Sequence, residues 1–427
     1  GPMESGLPNK EKQRIRQLFA EGKIDRNRLL QAESDSYHSH GTCTFYGTAN
    51  SNQVVLEALG LQLPGSSFIN PDNPLREALT KEAVQQVCKI TSLGNDFRPV
   101  GKVVDERAIV NATIALLATG GSTNHTMHLV AIARSAGILM DWSDIADLSA
   151  AVPLMTKIYP NGQADVNHFH AAGGTSCLFR QLLAAGYMHP DAATVWGNTF
   201  EDFVKEPFLD ECSLRWRESP SKSHDETVLA SISDPFAKEG GLRLMSGNLG
   251  RCIIKISAVA VEHRFVQAPI VVIEDQNDLQ TLFEAGELDR DCIVVVRYQG
   301  PRARGMPELH KLTPYLGILQ DRGHRVALVT DGRMSGASGK VPAAIHLVPE
   351  ADDGGLLRFL EDGDVIRLDA EKGELAVIGD LDLIMQRDTP FSPRQNQYGC
   401  GRELFAINRE NIGNAEQGAS YLFAEVQ

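Results

Sequence analysis

No Cys-x-x-Cys pair occurs in this chain, although it contains seven cysteines, at positions 43, 88, 177, 212, 252, 292 and 400. Their odd number and wide spacing exclude a disulfide framework and, by spacing alone, a complete zinc or iron-sulfur ligand set. Mostly buried thiols in a cytoplasmic protein are the simplest reading. No apolar run approaches the roughly eighteen residues of a membrane span, and no secretory signal is visible. Basic residues are the minority, with 41 Lys and Arg against 55 Asp and Glu for a formal charge of −14. With no basic patch to offset it, that balance argues against nucleic acid or an anionic membrane as a partner. It does not exclude a small anionic substrate, because a few arginines, a metal or a helix N-terminus can reverse the sign inside a cleft. Internal repeats and low-complexity tracts are absent.

What is present is a chain of 427 residues, 42% hydrophobic and 22% charged. That length is too great for one ordinary core and predicts two or three domains. The first half reads as alternating helices and short apolar segments, with helical spacing over 10–32, 48–59, 73–91, 105–117, 120–136 and 171–185. A polar stretch over 216–228 reads as a linker. After it come the apolar runs 242–244, 252–256, 268–273, 292–296, 326–329, 365–369 and 374–378, punctuated by turn signals. The expected class is α/β: an N-terminal α/β domain, 1–225, followed by a strand-rich, barrel-like swivelling domain, 226–427.

Two polar, glycine-containing loops follow strands in the second half. Val326 to Val329 leads into Thr330-Asp-Gly-Arg-Met-Ser-Gly336, where glycines permit close approach to a ligand and Ser335 sits mid-loop. Cys292 to Val296 leads into Tyr298-Gln-Gly-Pro-Arg-Ala-Arg-Gly-Met-Pro-Glu308. Two strands of one sheet can bring such loops to one edge, placing a carboxylate and a hydroxyl in one cleft. In the first half, Cys43 lies in a loop ahead of a helix, whose free amides favour the thiolate; a buried inert cysteine is the alternative. Gly121, Ser122 and Thr123 form either an N-cap or an anion cradle. His125 and His128 are i, i+3 with no third ligand, a weak metal signal. His170, at a helix start, is a substrate contact or a capping histidine.

The segments Gly-Pro-Met-Glu-Ser-Gly (1–6), Gly-Thr-Cys-Thr-Phe-Tyr-Gly-Thr-Ala-Asn-Ser-Asn (41–52), Gly-Gly-Ser-Thr-Asn (120–124), Ser-Gly-Asn-Leu-Gly (246–250) and Thr-Asp-Gly-Arg-Met-Ser-Gly (330–336) resemble the dihydroxy-acid and sugar-acid dehydratase family, in a consistent order from end to end. The Cys43-to-Asn52 form and the Leu-Pro-Asn-Lys-Glu-Lys opening look most like the branch of that family acting on 6-phosphogluconate. Family members carry a substantial segment ahead of the first motif, with further cysteines, an aspartate and a lysine used at the site. The 427 residues are therefore expected to be the C-terminal portion of a longer protein.

The resemblance implies a hydro-lyase acting on a small-molecule sugar-acid phosphate. It implies Cys43 as one ligand of an iron-sulfur cluster, 4Fe-4S favoured over 2Fe-2S. Glu308 would be a ligand of Mg2+ or Mn2+, and Ser335 the base that removes the C2 proton. Ser122, Thr123, Arg333 and His170 are the candidate substrate contacts, and a cytoplasmic homodimer is expected. A sibling acting on branched dihydroxy acids or unphosphorylated sugar acids would keep Cys43, Glu308 and Ser335 but lack a cationic phosphate pocket. An iron-sulfur binding protein without turnover is the reading from another class.

Overall fold

The computed structural model describes residues 1–334, 339–388, 399 and 402–423. The chain divides into two compact units: one holds 1–125, 132–140 and 147–241, the other 126–131, 141–146 and the chain from 242 on. The architecture is mixed α/β, with a strand-rich second part.

In the first unit the helix Glu106–Ala118 is buried along nearly its whole length. Its sequence, Glu-Arg-Ala-Ile-Val-Asn-Ala-Thr-Ile-Ala-Leu-Leu-Ala, is apolar on every face, the pattern of an element surrounded by others rather than one lying on a surface. Asp105 caps it, accepting from the Ala108 amide at 3.0 Å. Asn111, wholly buried within it, is satisfied by the His189 backbone in both directions, at 3.0 and 2.7 Å. The helix Thr48–Ala58 packs against it. The stretch read as one helix over 10–32 is two, Asn9–Ala20 and Arg26–Ser36. The break falls at Gly22, whose φ of +69° lies in the left-handed region that glycine enters at little cost.

The strands β1 (Lys205–Asp210) and β2 (Ser213–Glu218) form an antiparallel hairpin. Both residues of its two-residue turn, Glu211 and Cys212, have positive φ, which matches the twist of the paired strands. Trp216 therefore belongs to a strand, where it packs against Trp196 at 5.0 Å between ring centroids, and not to a linker. The linker reading arose because the hairpin is largely exposed and charged, with Arg215–Asp210 and Arg217–Glu206 ion pairs along it.

The second unit is a closed barrel. Its strands are β3 (Leu242–Gly247), β4 (Gly250–Lys255), β5 (Phe265–Ile273), β6 (Cys292–Val296), β7 (Val326–Thr330), β8 (Ala343–Val348), β9 (Val365–Asp369) and β10 (Glu374–Ile378). Around the barrel they run β10-β3-β4-β8-β7-β6-β5-β9. From β5 to β8 the neighbours are parallel. Parallel pairing requires crossovers, and the helices Asp278–Glu284 and Leu312–Asp321 provide two of them.

Every residue of β6 is buried. Ile293 and Val295 enter the interior cluster with Ile254, Ile270, Val329 and Leu368. Cys292, Val294 and Val296 face outward onto Leu279, Leu312, Leu316 and Leu319. A strand covered on both faces reads as a continuous apolar run, and each such side chain contributes about 1.5–3 kcal/mol of burial. No described helix is long and apolar enough to cross a membrane.

Candidate functional site

In the first unit, the loop carrying Cys43 is shaped by side chains from distant segments. Asn50, wholly buried on the helix Thr48–Ala58, donates to the carbonyls of Cys43 at 2.6 Å and Phe45 at 2.8 Å, and accepts from Thr42 Oγ1 at 2.9 Å. The opening residues run alongside: the Met3 amide donates to the Thr42 carbonyl at 2.9 Å and the Thr42 amide to that of Gly1 at 3.1 Å. A side chain at Gly41 would place Cβ 2.4 Å from the Met3 nitrogen, at a φ of +123°, so this approach requires glycine. Asn70 donates to the Pro2 carbonyl at 3.0 Å and Asn167 to that of Met3 at 2.9 Å, and the two asparagines join at 3.1 Å. Ser5 Oγ donates to Asp165 at 2.5 Å, the carboxylate that caps the helix Val166–Ala171. The motifs 1–6 and 41–52 thus form one polar cluster.

The expectation of a thiolate favoured by helix amides is not met. The helix begins at Thr48 with Gly47 as its N-cap, which leaves Cys43 on the preceding loop. Burial pushes the half-buried Cys43 thiol up, with the Lys12 ammonium opposing. Lys12 is itself lowered to about 8, by burial first and then by Arg16, against Glu33. Its Nζ lies 3.5 Å from the centroid of the Tyr37 ring.

Ser122 and Thr123 are buried. Ser122 Oγ lies 2.9 Å from Thr48 Oγ1 and accepts from the Asn124 amide at 3.3 Å, as a residue turning the chain into a helix does. His125 Nε2 meets Ser51 Oγ at 2.8 Å. Half-buried His170 has its pKa lowered, by burial above all, against the pull of Glu206. Glu57 is fully buried and accepts from the Gly65 amide at 2.8 Å, the Ser67 amide at 3.2 Å, Thr175 Oγ1 at 2.9 Å and the Ser67 hydroxyl. Burial nonetheless pushes its carboxyl up.

In the second unit, β6 and β7 pair in parallel, so the loops that follow them leave at the same edge of the barrel. Glu308 and Arg333 form a parallel bridge there, and the Arg333 guanidinium grips Glu308 Oε2. Arg333 Nε donates to the Met306 carbonyl at 2.7 Å. Glu308 Oε1 is buried and has no hydrogen-bond partner among the described residues. A buried anionic oxygen without a donor is costly, and a hard divalent cation is the kind of ligand that would satisfy it. Gly332 brings the two loops together, since a Cβ there would lie 2.6 Å from that of Gln299. Its amide donates to Thr330 Oγ1 at 2.9 Å. Ser335 lies outside the described residues.

Two buried carboxyls that motif reading did not single out fasten these loops. Asp331 accepts from the amides of Gln299 at 2.8 Å, Ala351 at 3.0 Å and Tyr298 at 3.1 Å, so one side chain ties the segments following β6, β7 and β8. Glu350 accepts from the amides of Arg302 at 2.8 Å and Ala303 at 3.3 Å. Burial raises Asp331 to about 6, and burial together with the Asp331 charge raises Glu350 to about 7. The available signal for Asp331 was its place immediately past a buried strand, within the Ser335 motif. Asn50 carried a comparable sign, its place within the Cys43 motif, whereas Asn70 and Asn167 carried none.

Among the described residues no three His, Cys, Asp or Glu side chains gather as a metal-binding group. Cys43 and Glu308 therefore belong to no such group among the described residues.

The family model described as Dihydroxy-acid/6-phosphogluconate dehydratase N-terminal matches residues 1–203, and its C-terminal counterpart matches 227–419. The phosphogluconate dehydratase of Escherichia coli is 58% identical over 422 residues, 98% of this chain and 70% of that protein. The phosphogluconate dehydratase of Pseudomonas aeruginosa is 57% identical over 419 residues, 98% of this chain and 69% of that protein. A dihydroxy-acid dehydratase of Caldanaerobacter subterraneus is 34% identical over 352 residues, 82% of this chain and 60% of that protein.

Proposed function

Because the chain belongs to the dihydroxy-acid/6-phosphogluconate dehydratase family, we propose that it is a hydro-lyase that dehydrates 6-phospho-D-gluconate to 2-keto-3-deoxy-6-phosphogluconate, the Entner-Doudoroff reaction. The observation that carries this reading is the identity of 58% over 98% of the chain with a phosphogluconate dehydratase, against 34% over 82% for a dihydroxy-acid dehydratase.

The residues divide the work as follows. Glu308 offers Oε1 to a divalent metal, Mg2+ or Mn2+, while Arg333 holds its other oxygen and fixes the rotamer. Cys43 offers its sulfur to an iron-sulfur cluster, 4Fe-4S favoured over 2Fe-2S, on a loop whose backbone Asn50 has already shaped. When bound, these groups supply Lewis acidity for the substrate carboxylate and for the departing C3 hydroxide. Ser335 takes the C2 proton as general base. Loss of the C2 proton and the C3 hydroxide leaves an enol, which tautomerises to the 2-keto-3-deoxy acid. Ser122, Thr123, His170 and Arg333 are the candidate substrate contacts. The protein works as a cytoplasmic homodimer in this reading, supported by its six described cysteines, all free, and by the prevalence of two-fold dimers among soluble enzymes.

The test is the rate of 2-keto acid formation from 6-phosphogluconate, gluconate and a branched 2,3-dihydroxy acid. The expected result is a kcat/KM about a hundredfold or more higher with the phosphorylated substrate. Preference for either of the other two substrates assigns the sibling activity. A loaded cluster with no turnover of any of them leaves a binding protein.

A further inference from the structure

A cavity of about 420 Å3 opens beside the loop that carries Glu308, between the short helix Pro301–Arg304 and the segment around the helix Ala406–Asn411. Three arginines line it, Arg304, Arg402 and Arg409, together with Asn408 and Tyr421. In a chain of net charge −14 such a concentration of positive charge is unusual. Each guanidinium is half-buried, and none of the three has a carboxylate partner among the described residues. Their recorded hydrogen bonds go to main-chain carbonyls instead. Arg304 donates to that of Glu274 at 2.6 Å, Arg402 to that of Ala303 at 3.4 Å, and Arg409 to that of Arg402 at 2.6 Å.

These bonds orient the side chains without neutralising them. Arg402 feels the other two: its pKa is lowered, by burial first and then by the charges of Arg409 and Arg304. Like charges held together at a pocket wall repel each other, and a dianion removes that repulsion. Arginine forks suit phosphate oxygens in particular, because they donate parallel hydrogen bonds in a fixed plane. The neighbouring Arg302 makes the contrast, being paired with Asp353. Arg304 stands on the same loop as Glu308, within about 14 Å of it even at full extension, so one elongated substrate can reach both.

We propose that the Arg304, Arg402 and Arg409 pocket binds a phosphate monoester, and that its occupant is the phosphate end of the sugar-acid substrate. This rests on the functional reading above and extends it by naming the phosphate contacts. Arg333, held by Glu308, serves the other end of the molecule.

The test uses the full holoenzyme and the variants Arg402→Gln, Arg409→Gln and Arg402→Lys, with thermal midpoints measured to confirm folding. Inorganic phosphate binding is followed by calorimetry, and steady-state rates are taken with 6-phosphogluconate and with gluconate. Each glutamine variant is expected to weaken inorganic phosphate binding and raise KM for 6-phosphogluconate about tenfold to a hundredfold. The kcat/KM for gluconate should stay within about twofold, and Arg402→Lys should recover part of the loss. Inorganic phosphate should compete with the phosphorylated substrate. If phosphate binding depends on these arginines but does not compete, and KM is unchanged, the pocket serves a separate phosphate effector and the substrate assignment is overturned. Unchanged phosphate binding in both glutamine variants overturns the pocket itself. If the wild type does not turn over 6-phosphogluconate, the functional reading fails, and the calorimetric arm still decides whether the pocket binds phosphate.

Discussion

Cys43 in the first unit and Glu308 in the second both sit on loops, but the loops are fastened by different parts of the chain. The Cys43 loop takes its shape from side chains, with Asn50 gripping its carbonyls and Asn70 and Asn167 holding the strip that runs beside it. The Glu308 loop leaves the end of a buried parallel strand, and its register against Arg333 continues the pairing of β6 with β7. Here the carboxyls, Asp331 and Glu350, accept only from main-chain amides. Each unit nonetheless keeps a fully buried carboxyl, Glu57 in the first and Asp331 in the second. A loop fixed by strand ends tolerates loss of one side chain at its tip. One fixed by side chains does not.

The sharpest way to break this comparison is at Ser335, in the sequence that follows β7. Ser335→Ala should leave fold, cluster spectrum and substrate affinity nearly intact while turnover falls about a hundred- to ten-thousand-fold. Exchange of the substrate C2 hydrogen with solvent should fall in step. Exchange at the wild-type rate in this variant would move the base role to another residue.

A smaller effect is expected at Glu308. Glu308→Gln keeps the shape but removes the charge that a hard divalent cation prefers, so activity should drop about ten- to a hundredfold and recover in part with excess Mg2+. It also leaves Arg333 without its ionic partner. No recovery, together with unchanged metal affinity, would take Glu308 out of the coordination sphere.

The smallest effect concerns the buried carboxyls and is read as stability against pH. Asp331 has its pKa raised from an ordinary 3.8 to about 6 by burial. Between those values the folded state holds a proton that the unfolded chain has released. Its contribution is therefore fully present below about pH 4 and lost as pH rises through 6, an effect on the order of a few kcal/mol. Asp331→Asn cannot titrate, so the wild-type-minus-variant difference in unfolding free energy should decline over that window. A difference that is flat from pH 4 to 7 would show that Asp331 contributes no such linkage. In Glu57→Gln an amide donor would face the Gly65 and Ser67 amides and the Ser67 and Thr175 hydroxyls, costing about 1–3 kcal/mol. Because that carboxyl holds Gly65, Ser67 and Thr175, the loss should be accompanied by easier proteolysis around 65–67, a change not expected in Asp331→Asn.

Legibility in the sequence follows the same division. The strands Cys292–Val296 and Val326–Thr330 were readable because burial on both faces leaves an uninterrupted apolar run. Strand β8, Ala343–Val348, is absent from the apolar runs read in the sequence, because Ala-Ala-Ile-His-Leu-Val has no alternation. The hairpin β1–β2 was missed for the opposite reason, since its exposed charges resemble a solvated connection. At the site, Cys43 and Glu308 could be picked out as groups with chemistry of their own. Asn70 and Asn167 could not, because a polar residue whose whole task is to hold a carbonyl leaves no pattern along the chain.

The bonds that shape the Cys43 loop also join residues far apart in the chain. Ser5 reaches across 160 positions to Asp165, and Asn167 across 164 to Met3. Closing loops of that size demands entropy before any contact repays it, and high contact order slows folding. The strip beside the cysteine loop is thus held by bonds whose closure costs chain entropy, whereas the Asn50 bonds to the loop itself span only 5 to 8 positions.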